Sequence, residues 1–321
     1  MKTTNRISVA LLLLALQLCW SEIHFEKLAN LQLVQSYVLE TTPYPERLDL
    51  SGLTSDGKHL YTVSDLSNQN DLFRIELTPK PRLVKVAHLD ESWLEQWQSK
   101  YASKGRYDTE GIAFCDGKFY LAEETTRSVL ELQIQKGSFT PRLIGPNWVD
   151  FHSRKNVMNP FSGVRNAGLE AISCHSDRQF LFIFNERQFR MAYTLDVSTG
   201  MLNDQFTIPS GLKVPKRIEG SWVFPDFAGA HFYNSSLYLL IRNRQQIVKI
   251  DPENYEVLKR WSYGDLARRM FKQRDVYGLA EGLAVHEGYF YLVLDHNLWE
   301  HSKTGKRNPV LLKLTTFEGE F

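Results

Sequence analysis

The sequence predicts an all-β chain folded as a β-propeller, on three observations. Apolar runs of four to seven residues rich in Val, Ile, Leu, Phe and Tyr recur along the 321 residues, which favours strands over long helices. A two-strand segment recurs five times: DLSGLTSDGKHLYTVSD (49–65), DTEGIAFCDGKFYLAEE (108–124), AGLEAISCHSDRQFLFIFNE (167–186), DFAGAHFYNSSLYLLIRN (226–243) and LAEGLAVHEGYFYLVLD (279–295). Its spacing is 53 to 60 residues, the length of one four-stranded propeller blade.

Each copy opens on a small or acidic residue. It continues as a short apolar strand, a turn rich in Gly, Asp, Asn or Ser, and a second strand with an aromatic. A third strand follows in every copy: LFRIEL (72–77), VLELQI (129–134), RMAYTLDV (190–197), IVKIDP (247–252) and VLLKLT (310–315). A weaker fourth follows in most, such as LVKVAHL (83–89), FTPRLI (139–144) and EVLKRW (256–261). The last copy stops after its third strand. LQLVQSYVLE (31–40) stands before the first copy without a partner, and would serve as the missing outer strand and close the ring. Closure removes the exposed edges a linear array would leave. The expectation is five blades, with a degenerate sixth as the alternative, in one domain spanning 22–321. Of the longer connections, 90–107, 145–166 and 262–278, the first and third read as helical.

The N-terminus reads as a signal peptide over 1–21. Lys2 and Arg6 precede the apolar run VALLLLALQLCW, which is short for a membrane span. Cys19 and Ser21 suit the −3 and −1 positions of a cleavage site. The expected location is therefore secreted or periplasmic, with no stable membrane insertion after cleavage. An uncleaved anchor is the alternative. With 38 basic and 37 acidic residues the chain shows no polybasic character, which argues against a nucleic-acid partner. Beyond the leader two cysteines remain, Cys115 and Cys174, at the ends of corresponding strands. They read equally as one disulfide or as two half-buried thiols.

In a propeller the first strand of each blade lines the channel, and the second runs antiparallel beside it. The start of the first and the end of the second then share one face. The first positions are Ser51, Glu110, Glu170, Ala228 and Glu281. The second positions, 14 to 16 residues later, are Asp65, Glu124, Glu186, Arg242 and Asp295. Three carboxylates converging on an axis need a cation, basic neighbours or protonation, because an unpaired buried carboxylate costs several kcal/mol. Oxygen donors without a His/Cys cluster point to a hard divalent ion, Ca²⁺, on Ser51, Glu110, Glu170 and Glu281. Glu124, Glu186 and Asp295 are candidate general bases one shell out. Arg127, Arg187, Arg242 and His296 are candidate contacts for a small anionic ligand such as a phosphate ester.

The quoted segments, with their repeated E-G/A-[IL] step, resemble the phytase-like propeller family, also described as esterase-like activity of phytase, over about residues 45–316. More distantly they are similar to the five-bladed calcium-dependent apyrases, which hydrolyse nucleoside di- and triphosphates. That likeness implies a channel Ca²⁺ on Ser51, Glu110, Glu170 and Glu281, with Ala228 standing where the apyrase pattern has Ser. Two functions follow as expectations. One is a secreted Ca²⁺-dependent hydrolase of phosphate or other esters. The other is a non-catalytic ligand- or protein-binding propeller with a structural metal. The sequence has no G-x-S-x-G elbow, P-loop or G-x-G-x-x-G. Asn234-Ser235-Ser236 is a glycosylation sequon in the fourth hairpin turn.

Overall fold

Each copy of the repeat becomes an antiparallel sheet whose strands run outward in chain order. The computed structural model describes residues 28–41, 48–64, 70–101, 105–145, 168–185, 191–208, 226–272, 279–296 and 298–316; the expected leader lies outside them. Two strands precede the first repeat, β1 (Ala29–Asn30) and β2 (Gln32–Val38). Repeat 1 is β3 (Leu50–Ser55), β4 (Leu60–Ser64), β5 (Asp71–Glu76) and β6 (Arg82–Leu89). Helix α1 (Glu91–Tyr101) leads to repeat 2: β7 (Thr109–Cys115), β8 (Lys118–Glu123), β9 (Ser128–Gln135) and β10 (Ser138–Ile144). Repeat 3 is β11 (Leu169–His175), β12 (Phe180–Asn185), β13 (Met191–Asp196) and β14 (Leu202–Thr207). Repeat 4 is β15 (Phe227–Tyr233), β16 (Ser236–Ile241), β17 (Gln246–Ile250) and β18 (Val257–Ser262), followed by the short helix α2 (Gly264–Ala267). Repeat 5 is β19 (Ala280–His286), β20 (Tyr289–Leu294) and β21 (Val310–Thr315).

The chain is thus all-β and built of several sheets. β2 pairs antiparallel with β21, from Gln32 opposite Thr315 to Val38 opposite Val310. β1 lies parallel on the outer edge of β18. β6 and β10 meet in parallel at Ser138–His88 and Phe139–Leu89, joining repeats 1 and 2 into one eight-stranded sheet. These contacts cover strand edges that would otherwise present unpaired backbone groups. The first strands pack in cyclic order, β3 on β7, β7 on β11, β11 on β15, β15 on β19 and β19 back on β3.

Five apolar clusters separate the neighbouring repeats. Phe119, Leu121 and Trp97 fill the space between repeats 1 and 2. Tyr120 and Ile172 do so between 2 and 3, and Phe184 and Phe227 between 3 and 4. Trp261 with Phe290 fills the space between 4 and 5, and Phe73 with Tyr291 that between 5 and 1. Both faces of a middle strand are therefore buried, which accounts for the unbroken apolar runs FLFIF and YFYLVL. Cys115 and Cys174 form a disulfide, Cα–Cα 5.5 Å, tying the ends of β7 and β11. Of the two expected helical connections, 90–107 carries the long helix α1, and the described part of 262–278 carries the single turn α2. Most of 145–166 lies outside the described residues.

Candidate functional site

The E-G/A step has a mechanical cause. In every repeat the register between first and second strand slips by one residue at this point. Thr109 faces Glu123 but Gly111 faces Ala122, and the same slip occurs at Leu169/Ala171, Phe227/Gly229, Ala280/Gly282 and Ser51/Thr54. Glu110, Glu170, Ala228 and Glu281 are the extra residues of these bulges. A bulge re-aims a side chain that pleating would send into the sheet. The following residue is small because the neighbouring first strand runs against it. A Cβ on Gly111 would stand 2.3 Å from the carbonyl oxygen of Glu170, and one on Gly282 2.5 Å from the backbone of Gly52.

The first-position residues are thereby brought to one end of the ring of first strands, where they divide into two groups. On one side Ser51 Oγ donates to Glu110 Oε2 at 2.8 Å, linking repeats 1 and 2. Glu110 also gathers with Asp108 and Glu124, their carboxylate oxygens lying within 4.8 Å of one another. Asp108 and Glu124 are buried and Glu110 half-buried. Asp108 Oδ2 accepts from Arg106 Nε at 3.2 Å, while Asp108 Oδ1 is buried without a hydrogen-bond partner. Burial, reinforced by Glu110, pushes the Asp108 carboxyl up to about 7, against the pull of Arg106. Gly168 N donates to Glu124 Oε1 at 3.4 Å.

On the other side stands a cation supplied by the chain itself. Arg242 donates to Asp226 through Nε–Oδ2 and Nη2–Oδ1, both 3.0 Å. Its Nη1 reaches Glu170 Oε1 at 3.1 Å and also bonds Glu281 Oε2. Arg242, Asp226 and Glu170 are buried and Glu281 is half-buried. Burial, with Glu110, Asp295 and Asp226 nearby, still pushes Glu281 up to about 8 although Arg242 opposes this.

The expected ligand set is therefore divided. Ser51 and Glu110 lie in an all-oxygen cluster with two residues not assigned to it, Asp108 and the expected base Glu124. Glu170 and Glu281 instead hold Arg242. The expected anion contact Arg242 has its guanidinium engaged by three carboxylates and is turned inward. Asp295 sits apart, with Asp49 and His296. There His296 Nε2 is 3.9 Å from Asp49 Oδ1, and Nδ1 accepts from Leu298 N at 3.0 Å. Because Nδ1 is an acceptor, Nε2 of the neutral ring carries the proton; it faces Asp49 beyond hydrogen-bond distance, and the ligand atoms of Asp49, Asp295 and His296 lie within 4.8 Å of one another, a second group that could hold a metal ion. Arg127 is half-buried in a left-handed conformation, φ 55°, near Glu124. Glu186, Arg187 and Asp65 lie outside the described residues.

Asp108 is the functional candidate that sequence reasoning missed. It stands two residues before the first position, where Asp49 and Asp226 stand in repeats 1 and 4. Backbone pairing explains why this row meets the second positions: Glu124 N donates to Asp108 O, Arg242 N to Asp226 O and Asp295 N to Leu279 O, each at 2.8 Å. Glu123, fully buried, is structural. It accepts from the backbone N–H groups of Thr126 at 2.8 Å and Thr125 at 3.0 Å and fixes the turn that presents Glu124.

Together these features define an all-β protein of several sheets with a carboxylate-rich mouth. The family model for Phytase-like proteins, described as esterase-like activity of phytase, matches residues 49–216, and the chain belongs to that family. No curated protein is matched by the sequence. Among solved structures, the glutaminyl cyclase of Myxococcus xanthus is similar over 90% of this chain and 97% of its own, with a TM-score of 0.52 and 15% identity, and shares the fold. A PQQ-bound aldose sugar dehydrogenase from Streptomyces coelicolor has a TM-score of 0.48 at 10% identity, covering 90% of this chain and 99% of its own. The Malassezia sympodialis allergen Mala s 1 has a TM-score of 0.44 at 14% identity, covering 83% of this chain and 77% of its own.

Proposed function

We infer that the protein is a secreted or periplasmic five-bladed propeller, its ring closed by β2, that binds Ca²⁺ and hydrolyses phosphate or other anionic esters. The cyclic packing of first strands and the β2–β21 pairing support the blade count and closure. The Cys115–Cys174 disulfide supports an oxidising compartment, and no helix among the described residues is long and apolar enough to cross a membrane.

The carrying observation is the cluster of Ser51, Asp108, Glu110 and Glu124. It offers only oxygen donors, which a hard divalent cation takes. The orphaned Asp108 Oδ1 is the kind of buried atom such an ion would satisfy. Glu170 and Glu281 do not fit the same ion while they hold Arg242, so the ligand set is revised to the four residues of the cluster. Bound there, the cation supplies Lewis-acid stabilisation of a phosphoryl or acyl oxygen. Arg106 and Arg127 flank the cluster and would hold the anion. Asp295, within electrostatic reach of Glu281 and outside the cluster, is the candidate to take a proton from attacking water.

Phosphate release from nucleotides, inositol phosphates and aryl phosphates, compared in Ca²⁺ and in EGTA, tests this reading. Calcium-dependent turnover supports it. A large calcium-dependent rise in melting temperature with no turnover on any substrate would establish the second reading, a non-catalytic propeller with a structural metal. The Ser51–Glu110 bond, which crosses from repeat 1 to repeat 2, favours that alternative.

A further inference from the structure

The first strands begin at the carboxylate mouth and end at the other side of the ring, in the hairpin turns that hold Ser55, Cys115, Cys174, Tyr233 and His286. A cavity of about 460 Å³ opens there. It lies within the size range of small-molecule sites. Its wall is partly apolar, with Phe114, Phe232 and Val285, and no lysine or arginine lines it among the described residues. Asp116 and Glu287, both exposed, also line it. That chemistry disfavours the anions that the opposite mouth would take, and suits an uncharged molecule with an apolar group.

Two residues 231 positions apart meet in this cavity. Ser55 Oγ lies 2.9 Å from His286 Nδ1. His286 Nε2 lies 4.0 Å from Glu287 Oε1. Gly57 N donates to Ser55 Oγ at 3.0 Å. In the tautomer with Nδ1 unprotonated the hydroxyl proton is directed at Nδ1, and one Oγ lone pair takes the Gly57 N–H, which leaves the second lone pair for attack. Ser donating to Nδ1 places the ring proton on Nε2, where Glu287 faces it. Ser55 and His286 thus form a hydrogen-bonded nucleophile–base pair, the core of the arrangement that activates a serine independent of chain order or local motif, with the exposed Glu287 carboxylate 4.0 Å from the other ring nitrogen. Burial holds His286 below the ordinary imidazole value, with Glu287 and Asp56 opposing, so the ring is neutral and able to accept a proton at neutral pH.

We propose that Ser55, His286 and Glu287 form a metal-independent serine esterase site for small uncharged carboxylic esters, at the mouth opposite the carboxylate cluster. Ser55 Oγ bonds to the ester carbonyl carbon as its proton passes to His286 Nδ1. The adduct collapses with cleavage of the C–O bond, and the departing alkoxide takes that proton and leaves as the alcohol. Water then attacks the acyl-serine and gives a proton to Nδ1. Ser55 recovers it, and the carboxylic acid is released. Glu287 is a positioning residue that holds the tautomer and steadies the imidazolium. Phe114, Phe232 and Val285 would receive the acyl or aryl group. The proposal is independent of the metal-site reading.

The test uses p-nitrophenyl acetate with the full-length protein in excess EDTA and, in parallel, in Ca²⁺, each with its melting temperature measured, so that loss of fold on metal removal is told apart from loss of the serine site. Turnover in EDTA is expected. Ser55→Ala and His286→Gln should each lose at least 100-fold in kcat/KM, and Glu287→Gln should lower kcat at unchanged KM. A fluorophosphonate probe should label the wild-type protein at Ser55, located by peptide mass, and this readout decides the matter if a variant fails to fold. Absence of turnover, turnover that survives Ser55→Ala in a protein of unchanged melting temperature, or labelling at another serine would each overturn the proposal. The Ser55–His286 contact would then be a strut between repeats 1 and 5.

Discussion

Arg242 and Asp226 form a two-point ion pair with both side chains buried, and the pair aims the remaining guanidinium nitrogen at Glu170 and Glu281. The chain thereby carries its own counter-ion into the mouth. Arg242→Ala leaves three carboxylates without it, and the expected loss is about 3–5 kcal/mol in urea unfolding. Arg242→Lys should recover little, since a point charge cannot reproduce the fork that spans Asp226 and both glutamates. Added Ca²⁺ should restore more stability to Arg242→Ala than it adds to the wild type.

Calcium affinity should depend on Glu110 and on pH. Glu110→Gln removes one anionic ligand and should weaken binding at least tenfold by isothermal titration calorimetry. Asp108 holds its proton up to about 7 in the metal-free protein. Below that pH the ion must displace a proton, so affinity should fall as pH drops from 8 to 6, with proton release on binding.

Gly111 and Gly117 separate two reasons for glycine. A Cβ at Gly111 meets a backbone oxygen at 2.3 Å, whereas one at Gly117, φ 78°, meets nothing. Gly111→Ala should cost about 3 kcal/mol or more, because two first strands must move apart. Gly117→Ala should cost about 1 kcal/mol, the conformational penalty alone. Denaturant midpoints at equal m-value measure both.

The Cys115–Cys174 bond closes a span of 59 residues between neighbouring first strands. The paired change to serine should cost about 4 kcal/mol by the loop-entropy relation, and should lower the melting temperature of the oxidised protein to that of the reduced one.

His231 gives the acid arm of the stability curve. Burial, with His286 beside it, lowers its pKa to about 4, against about 6.5 for an unfolded imidazole. Between these values the unfolded chain binds the proton and the folded one does not. The stability is therefore whole above pH 6.5, falls as pH drops toward 4, and declines no further from this source below that. His231→Phe should flatten that part of the melting-temperature profile.

Periodicity made much of this legible. The phase of the five copies placed Ser51, Glu110, Glu170 and Glu281 at one end of the first strands, because strand pairing preserves repeat position. The same alignment held a third row, Asp49, Asp108 and Asp226, whose meaning depended on the Glu124 N–Asp108 O type of pairing and on the bulge. Neither shows in a linear pattern. The sequence raises basic neighbours as one answer to converging acids, but a second-position arginine reads as an anion contact until its bond to Asp226 is seen. The Cys115–Cys174 pairing stays open in the sequence for the same reason: residues 59 apart touch only when consecutive first strands are neighbours. Ser55 and His286 meet because the last repeat returns to the first, a contact no local motif encodes.

The parallel pairing of β6 with β10 has a consequence for how the molecule comes apart. His88 N donates to Gly137 O at 3.0 Å and Asp90 N to Phe139 O at 2.9 Å. In a solitary four-stranded unit these amides would face water and exchange within the fraying limit. Here each is sealed by the adjoining unit, so repeats 1 and 2 should open as one foldon. Deuterium uptake at His88 and Asp90 should track that of β9. Deuterium uptake in β14, which pairs only with β13 among the described strands, gives the comparison.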